Sequence, residues 1–122
     1  MTAQQRYDKN HPDARFQREF VAVQGAVHDN AVAHGWHDTP IEEGTALALI
    51  HSEVSEALDG ARHGNPPSEH IPAYSAVEEE LADVVIRCMD WSAAKGYRLA
   101  EAILAKHEFN KTRPHRHGGK KF

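Results

Sequence analysis

The chain has 122 residues, 40% hydrophobic and 26% charged, a balance that supports one globular core and excludes a disordered chain. No apolar run approaches the ~20 residues a membrane helix needs; the polar start Met1–His11 has no leader pattern; and a lone Cys88 excludes an internal disulfide and a cysteine-built zinc site, so a reducing, cytoplasmic setting is expected. The net charge of −4 is unevenly spread: residues 1–41 carry 5 acids and 4 bases, residues 42–90 carry 11 and 2, and residues 91–122 carry 2 and 8.

All six prolines lie where the apolar period breaks, and the segments between them read as helices. In the first, Phe16, Phe20, Val23 and Val27 share one helical face, and Gly35 ends it. Thr39-Pro40-Ile41-Glu42 has the capping-box pattern with proline at the first helical position. It is expected to open a second helix with the stripe Leu47, Ile50, Val54, Leu58 and Ala61. Residues 63–74 form a proline-rich loop. Ser75-Ala76-Val77-Glu78 is a second capping box, opening a third helix striped by Val77, Leu81, Val84, Cys88 and Trp91. Lys95-Gly96-Tyr97 breaks that helix. A fourth runs from about Leu99 to Thr112, with Ala102, Ile103 and Phe109 as its apolar positions and Pro114 as its stop. Residues 113–122 are a basic tail, expected to be extended or mobile when alone. No strand alternation of useful length and no internal repeat interrupt this pattern. The expectation is a single all-α domain over residues 1–122, an antiparallel four-helix bundle. Its stripes are narrow and alanine-rich, and Ile86 lies opposite the third stripe, so part of the surface is expected to pack on a second copy.

Two i, i+3 carboxylate pairs fall in the acidic block: Glu53-Val54-Ser55-Glu56 on the second helix and Glu80-Leu81-Ala82-Asp83 on the third. Residues three apart on a helix are neighbours, with Cβ atoms ~5–6 Å apart. Glu80, Asp83 and Arg87 edge the apolar stripe of the third helix, and Glu53 flanks that of the second, with Glu56 one step further out. Antiparallel packing would bring four carboxylates to one seam. Such a cluster persists only by protonation, by pairing with cations or by binding metal, and hard oxygen donors select Mg²⁺ or Mn²⁺. One such pair alone reads as a solvated acidic face; two on successive helices, both edging the core, favour a site. No histidine has a glutamate three residues before it, which weighs against a di-iron bundle.

The segments HSEVSEALDGARHG (51–64), EEELADVVIRCMDW (78–91) and KHEFNKTRPHRHGGKK (106–121) together resemble the MazG family of all-α nucleotide pyrophosphohydrolases. The ExxE and ExxD elements stand 23 residues apart, counted between Glu56 and Glu80. The resemblance covers roughly residues 43–121. It implies a MazG-like bundle completed by oligomerisation, as dimer or tetramer, and hydrolysis of a (deoxy)nucleoside triphosphate to the monophosphate and pyrophosphate. Position by position, it implies that Glu53, Glu56, Glu80 and Asp83 bind Mg²⁺, or Mn²⁺, and carry catalysis. It implies that Lys106, Asn110 and Arg113 contact phosphate. These three fall at i, i+4 and i+7 on one face of the fourth helix; the competing reading is a solvated helix end whose cations complement the dipole. Lys111, Arg116, Lys120 and Lys121 would extend the phosphate grip, with Lys120 counted as a substrate contact; ordinary surface charge is the alternative for each.

Trp36 sits between the first two helices, where it would either stack on a nucleobase or plug the bundle end. His34 and His37 flank it, two histidines without an evident third ligand and so expected to be polar surface. Trp91 is expected in the core and Cys88 as a packed thiol. His115 and His117 would add positive charge to the phosphate region below pH 7. The expected role is nucleotide-pool housecleaning. Two alternatives stand beside it: a phosphoribosyl-ATP pyrophosphohydrolase, and a non-catalytic helical protein that binds metal for interaction or regulation. The acidic block disfavours nucleic acid as a partner.

Overall fold

A computed structural model describes Thr2 and residues 8–115. The described residues form four helices: α1 (Pro12–Ala33), α2 (Glu43–Arg62), α3 (Ala76–Lys95) and α4 (Leu99–Lys111). They contain no strand, only an isolated antiparallel bridge between Pro67 and Ser75. The helical reading of the sequence therefore holds element by element. No helix is long and apolar enough to cross a membrane among the described residues.

The chain divides into two compact units, Gln24–Tyr97 and the described parts of Met1–Val23 with Arg98–Phe122. In the first, α2 and α3 pack on each other along their length. They run antiparallel: Glu43 meets Trp91 and Tyr97, Glu53 meets Arg87, and Gly60 meets Ala76. At the loop end of this hairpin the backbones approach closely. A Cβ on Gly60 would lie 3.2 Å from that of Ala76, so a larger residue there would push the helices apart. At the other end Glu43 Oε1 accepts from Tyr97 Oη at 2.6 Å and from Trp91 Nε1 at 3.3 Å. Those bonds lower the Glu43 pKa, the tyrosine contributing most. The C-terminal half of α1 joins α3 where buried Gln24 donates to the Met89 carbonyl at 3.0 Å.

Both ends of α3 follow local chemistry. Ser75 caps α3 reciprocally with Glu78, as the sequence pattern requires. Gly96, at φ 71°, closes α3 in the left-handed conformation that glycine adopts without strain. The Thr39 capping box does not form. Residues 40–42 stay outside the helix, α2 begins at Glu43, and Glu42, in extended conformation, occupies the N-cap without a side-chain bond. The reason is tertiary: His37 is tied to Asp90 on α3 and Ile41 lines a cleft against the same helix, which holds this stretch out of the helix.

The 63–75 loop is fastened by Ser68, which donates to Glu79 at 2.5 Å and accepts from the backbone N–H groups of His70 and Ile71. His70 Nδ1 lies 2.6 Å from the other Glu79 oxygen. The Ser68 bond, and then His70, lower the Glu79 pKa.

Apolar stripes are only partly covered. No side chain of the described residues is fully buried, and the buried hydrophobic set is Ala46, Ala57, Met89, Trp91 and Ala100. Trp91 is therefore a core residue, as expected. Cys88 is half-buried and its thiol pKa is raised by burial, which suits packing and not nucleophilic attack. Leu47, Val54 and Leu58 of α2 and Leu81, Val85 and Ile86 of α3 remain 43–51% exposed.

Candidate metal centre

The α2–α3 hairpin brings three of the four expected carboxylates together. Glu53, Glu80 and Asp83 each place one oxygen within 4.8 Å of the others. The antiparallel register does this: the i, i+3 pair of α3 faces Glu53 across the helix seam. Glu53 is 8% exposed, while Glu80 and Asp83 are half-buried. Glu56 is exposed and stands outside the convergent set, meeting it through Glu80.

Three consecutive glutamates at the start of α3 have three destinations. Glu78 closes the capping box, Glu79 holds the loop, and Glu80 turns to the cluster. Glu80 Oε2 is buried and has no hydrogen-bond partner. Burial, then the facing Glu53 and Glu56 carboxyl groups, push the Glu80 pKa up to about 7. Burial and the Glu53 charge also raise that of Asp83. Among the described residues one cation serves the cluster: Arg87 Nε donates to Glu53 Oε1 at 2.8 Å. Three carboxyl groups with one guanidinium leave an acceptor-rich site with an orphaned oxygen. A hard divalent cation or a shared proton would satisfy that oxygen.

Arg87 also links the cluster to Trp36. Its guanidinium carbon lies 5.6 Å from the Trp36 ring centroid, a cation–π arrangement. Trp36, Ile41, Leu49, Arg87, Asp90 and Trp91 line a cleft, with Ala46 at its floor. Trp36 is 53% exposed, so it does not plug the bundle end, and its ring is available for stacking.

Comparison with protein-family models, curated proteins and solved structures gives no match. The chemistry of the site therefore rests on its residues.

Lys106 and Asn110 lie in the C-terminal half of α4 and Arg113 two residues beyond its end, so the expected single helical face does not extend to Arg113; all three are exposed, in the other compact unit. Lys106 Nζ lies 4.8 Å from the Phe109 ring centroid, and the Arg113 guanidinium 5.9 Å. Two cations thus lie close to the exposed Phe109 ring. Lys111 is paired with Glu108 at 2.8 Å and is not open to phosphate in this arrangement. Arg116, His117, Lys120 and Lys121 lie outside the described residues.

The sequence reading missed the partner that Arg87 finds in Glu53, although its place beside Asp83 at the stripe edge was the available signal. It also missed the surroundings of His37. His34 bonds to the Asn30 carbonyl of its own helix, but His37 meets Asp90 and His28. Those contacts join residues 53 and 9 positions apart, which no local pattern reveals.

Proposed function

We propose that this chain is a Mg²⁺-dependent nucleoside triphosphate pyrophosphohydrolase with a MazG-like helical architecture, acting as a homo-oligomer. The observation that carries the reading is the convergence of Glu53, Glu80 and Asp83, one of which, Glu80, also has a buried oxygen with no donor. Those three would hold the cation, with Glu56 at the rim. Bound Mg²⁺ would neutralise polyphosphate charge and make water more acidic. Glu53 has one oxygen engaged by Arg87. Exposed Glu56 is therefore the carboxylate better suited to orient the attacking water and accept its proton. Water adds at the α-phosphorus, and the bond to the α–β bridging oxygen breaks. The monophosphate and pyrophosphate depart. Trp36, steadied by Arg87, supplies a stacking face for the base; the family resemblance adds Lys106, Asn110 and Arg113 as phosphate contacts.

The completed four-helix bundle and its oligomer belong to the same proposal. They are supported by the exposed apolar side chains Leu47, Val54, Leu58, Leu81, Val85 and Ile86, which a second copy would cover. The functional test offers purified protein and Mg²⁺ a panel of dNTPs, NTPs and phosphoribosyl-ATP and measures pyrophosphate. Release from dNTPs that disappears with EDTA and in Glu80→Gln supports the reading. Preference for phosphoribosyl-ATP would change the substrate. No release from any of them by folded, Mg²⁺-bound protein would identify a non-catalytic metal-binding protein.

A further inference from the structure

A second convergence of ligand-type side chains lies in the same unit as the carboxylates, and nothing in the pyrophosphohydrolase reading uses it. His28 from α1, His37 from the α1–α2 loop and Asp90 from α3 bring three donor atoms within 4.8 Å of one another. His28 Nδ1 and His37 Nε2 both lie 2.8 Å from the same oxygen, Asp90 Oδ1. His37 Nε2 is also 2.9 Å from Oδ2. The two imidazole rings sit 5.0 Å apart at 59°. The side chains are 26%, 19% and 22% exposed, so water is largely kept from the donors without closing the site.

We propose that His28, His37 and Asp90 form a second metal site, for a borderline divalent transition ion such as Zn²⁺. Two imidazole nitrogens and one carboxylate oxygen are a donor set that Mg²⁺ does not favour and Zn²⁺ or Co²⁺ does. Three protein ligands leave a position for water, as in open zinc sites. With metal–ligand distances of ~2.0–2.1 Å, tetrahedral ligands stand a little over 3 Å apart, so loading needs the 2.8 Å contacts to open by a few tenths of an ångström. Without metal, the same geometry is two imidazole N–H groups donating to one carboxylate. Loading moves each proton to the other nitrogen of its ring, so that the ion takes the place of the two N–H donors.

The site has a structural consequence. Its ligands come from three separate elements, and His37 is the residue next to Trp36. An ion bound there fastens the loop carrying Trp36 and Ile41 onto α3, where Asp90 forms part of the same cleft wall. Asp90 lies seven residues beyond Asp83 on α3, ~10 Å along the axis. One helix would thus carry an all-oxygen centre and, two turns on, a nitrogen-containing one. Their different hardness allows each to be filled separately.

The test titrates the full metal-free chain with Co²⁺, read by its visible d–d absorption, in a saturating background of Mg²⁺. Wild type should bind one equivalent through nitrogen ligands, and Zn²⁺ should displace it and raise Tm. Even outer-shell partners of a metal change affinity by ~10–100-fold, so His37→Gln and His28→Gln should each weaken binding by at least that factor. His34→Gln should leave it unchanged, because His34 bonds its own helix. Asp90→Asn is a third arm, with circular dichroism reporting folding; the two histidine variants decide the matter if it does not fold. The same Co²⁺ affinity in His28→Gln and His37→Gln as in wild type would place the ion on other histidines and overturn the proposal. Absence of binding by folded wild type would overturn it too. No nucleotide enters these measurements, so their outcome is independent of the hydrolase reading.

Discussion

Glu80→Gln should stabilise the metal-free protein in mild alkali and destroy its response to Mg²⁺. In the folded chain the Glu80 carboxyl holds its proton up to about pH 7, against 4.5 for an ordinary glutamate. Protonation therefore favours the folded state. The stability this proton contributes is complete below about pH 4.5 and is lost as the pH rises through about 7. Taken at face value, that displacement corresponds to ~3 kcal/mol. Glu80 is half-buried and its neighbour Glu56 exposed, so solvent screening reduces this to ~1–2 kcal/mol. A glutamine never pays the cost of ionising, and its amide can donate to the facing carboxylates. Urea denaturation of metal-free protein at pH 8 should show Glu80→Gln more stable by ~1–2 kcal/mol, or roughly 3–10 °C in Tm for a chain of this size. At pH 5 the two proteins should nearly coincide. Adding Mg²⁺ at pH 8 should raise the wild-type Tm and leave the variant unmoved. A variant less stable than wild type at pH 8, or a difference that does not change with pH, would refute this account, in which burial and then the facing carboxyl groups hold the Glu80 proton.

Arg87→Leu leaves the buried Glu53 carboxylate without its cation. It should cost ~2 kcal/mol in urea denaturation of the metal-free protein, less than for a fully buried pair because the guanidinium is partly exposed. Mg²⁺ should recover part of that loss. Ser75→Ala removes one half of the α3 capping box and should lower stability by ~1 kcal/mol; the denaturation midpoint should fall at constant m-value, and Mg²⁺ affinity should not change. Mg²⁺ together with a non-hydrolysable dNTP should raise Tm by more than the two separate increments, and simple additivity would count against a shared site. Lys106→Ala and Arg113→Ala should raise KM more than they lower kcat, as measured by initial pyrophosphate release.

Features set by neighbours in the chain were readable from sequence. The Ser75–Glu78 box, the glycine stop at Gly96 and the i, i+3 spacing of the carboxylates depend on helix geometry alone. The acidic seam followed once α2 and α3 were taken as antiparallel neighbours in a bundle. The Thr39 box failed for the opposite reason. Its local pattern is sound, but His37 and Ile41 are held by α3, and tertiary contacts outweigh a cap of ~1 kcal/mol. The Glu78–Glu80 run shows the same limit, since composition gives three equal glutamates. Ser75, Ser68 and Glu53 decide which becomes cap, staple and cluster member. The His28–His37–Asp90 group joins two histidines close in sequence to an aspartate on another helix, and only the fold brings them together.

The claim on which the rest depends is that Glu53, Glu80 and Asp83 hold a divalent cation, and Mn²⁺ binding followed by electron paramagnetic resonance tests it most directly. His37→Gln should be used as the background, to keep nitrogen ligands out of the signal. That protein should bind Mn²⁺ with competition by Mg²⁺. Adding Glu80→Gln or Asp83→Asn to it should weaken binding by more than about tenfold, ~1.4 kcal/mol, with the helical circular dichroism retained. Equal Mn²⁺ affinity with and without those two carboxylates would contradict the account.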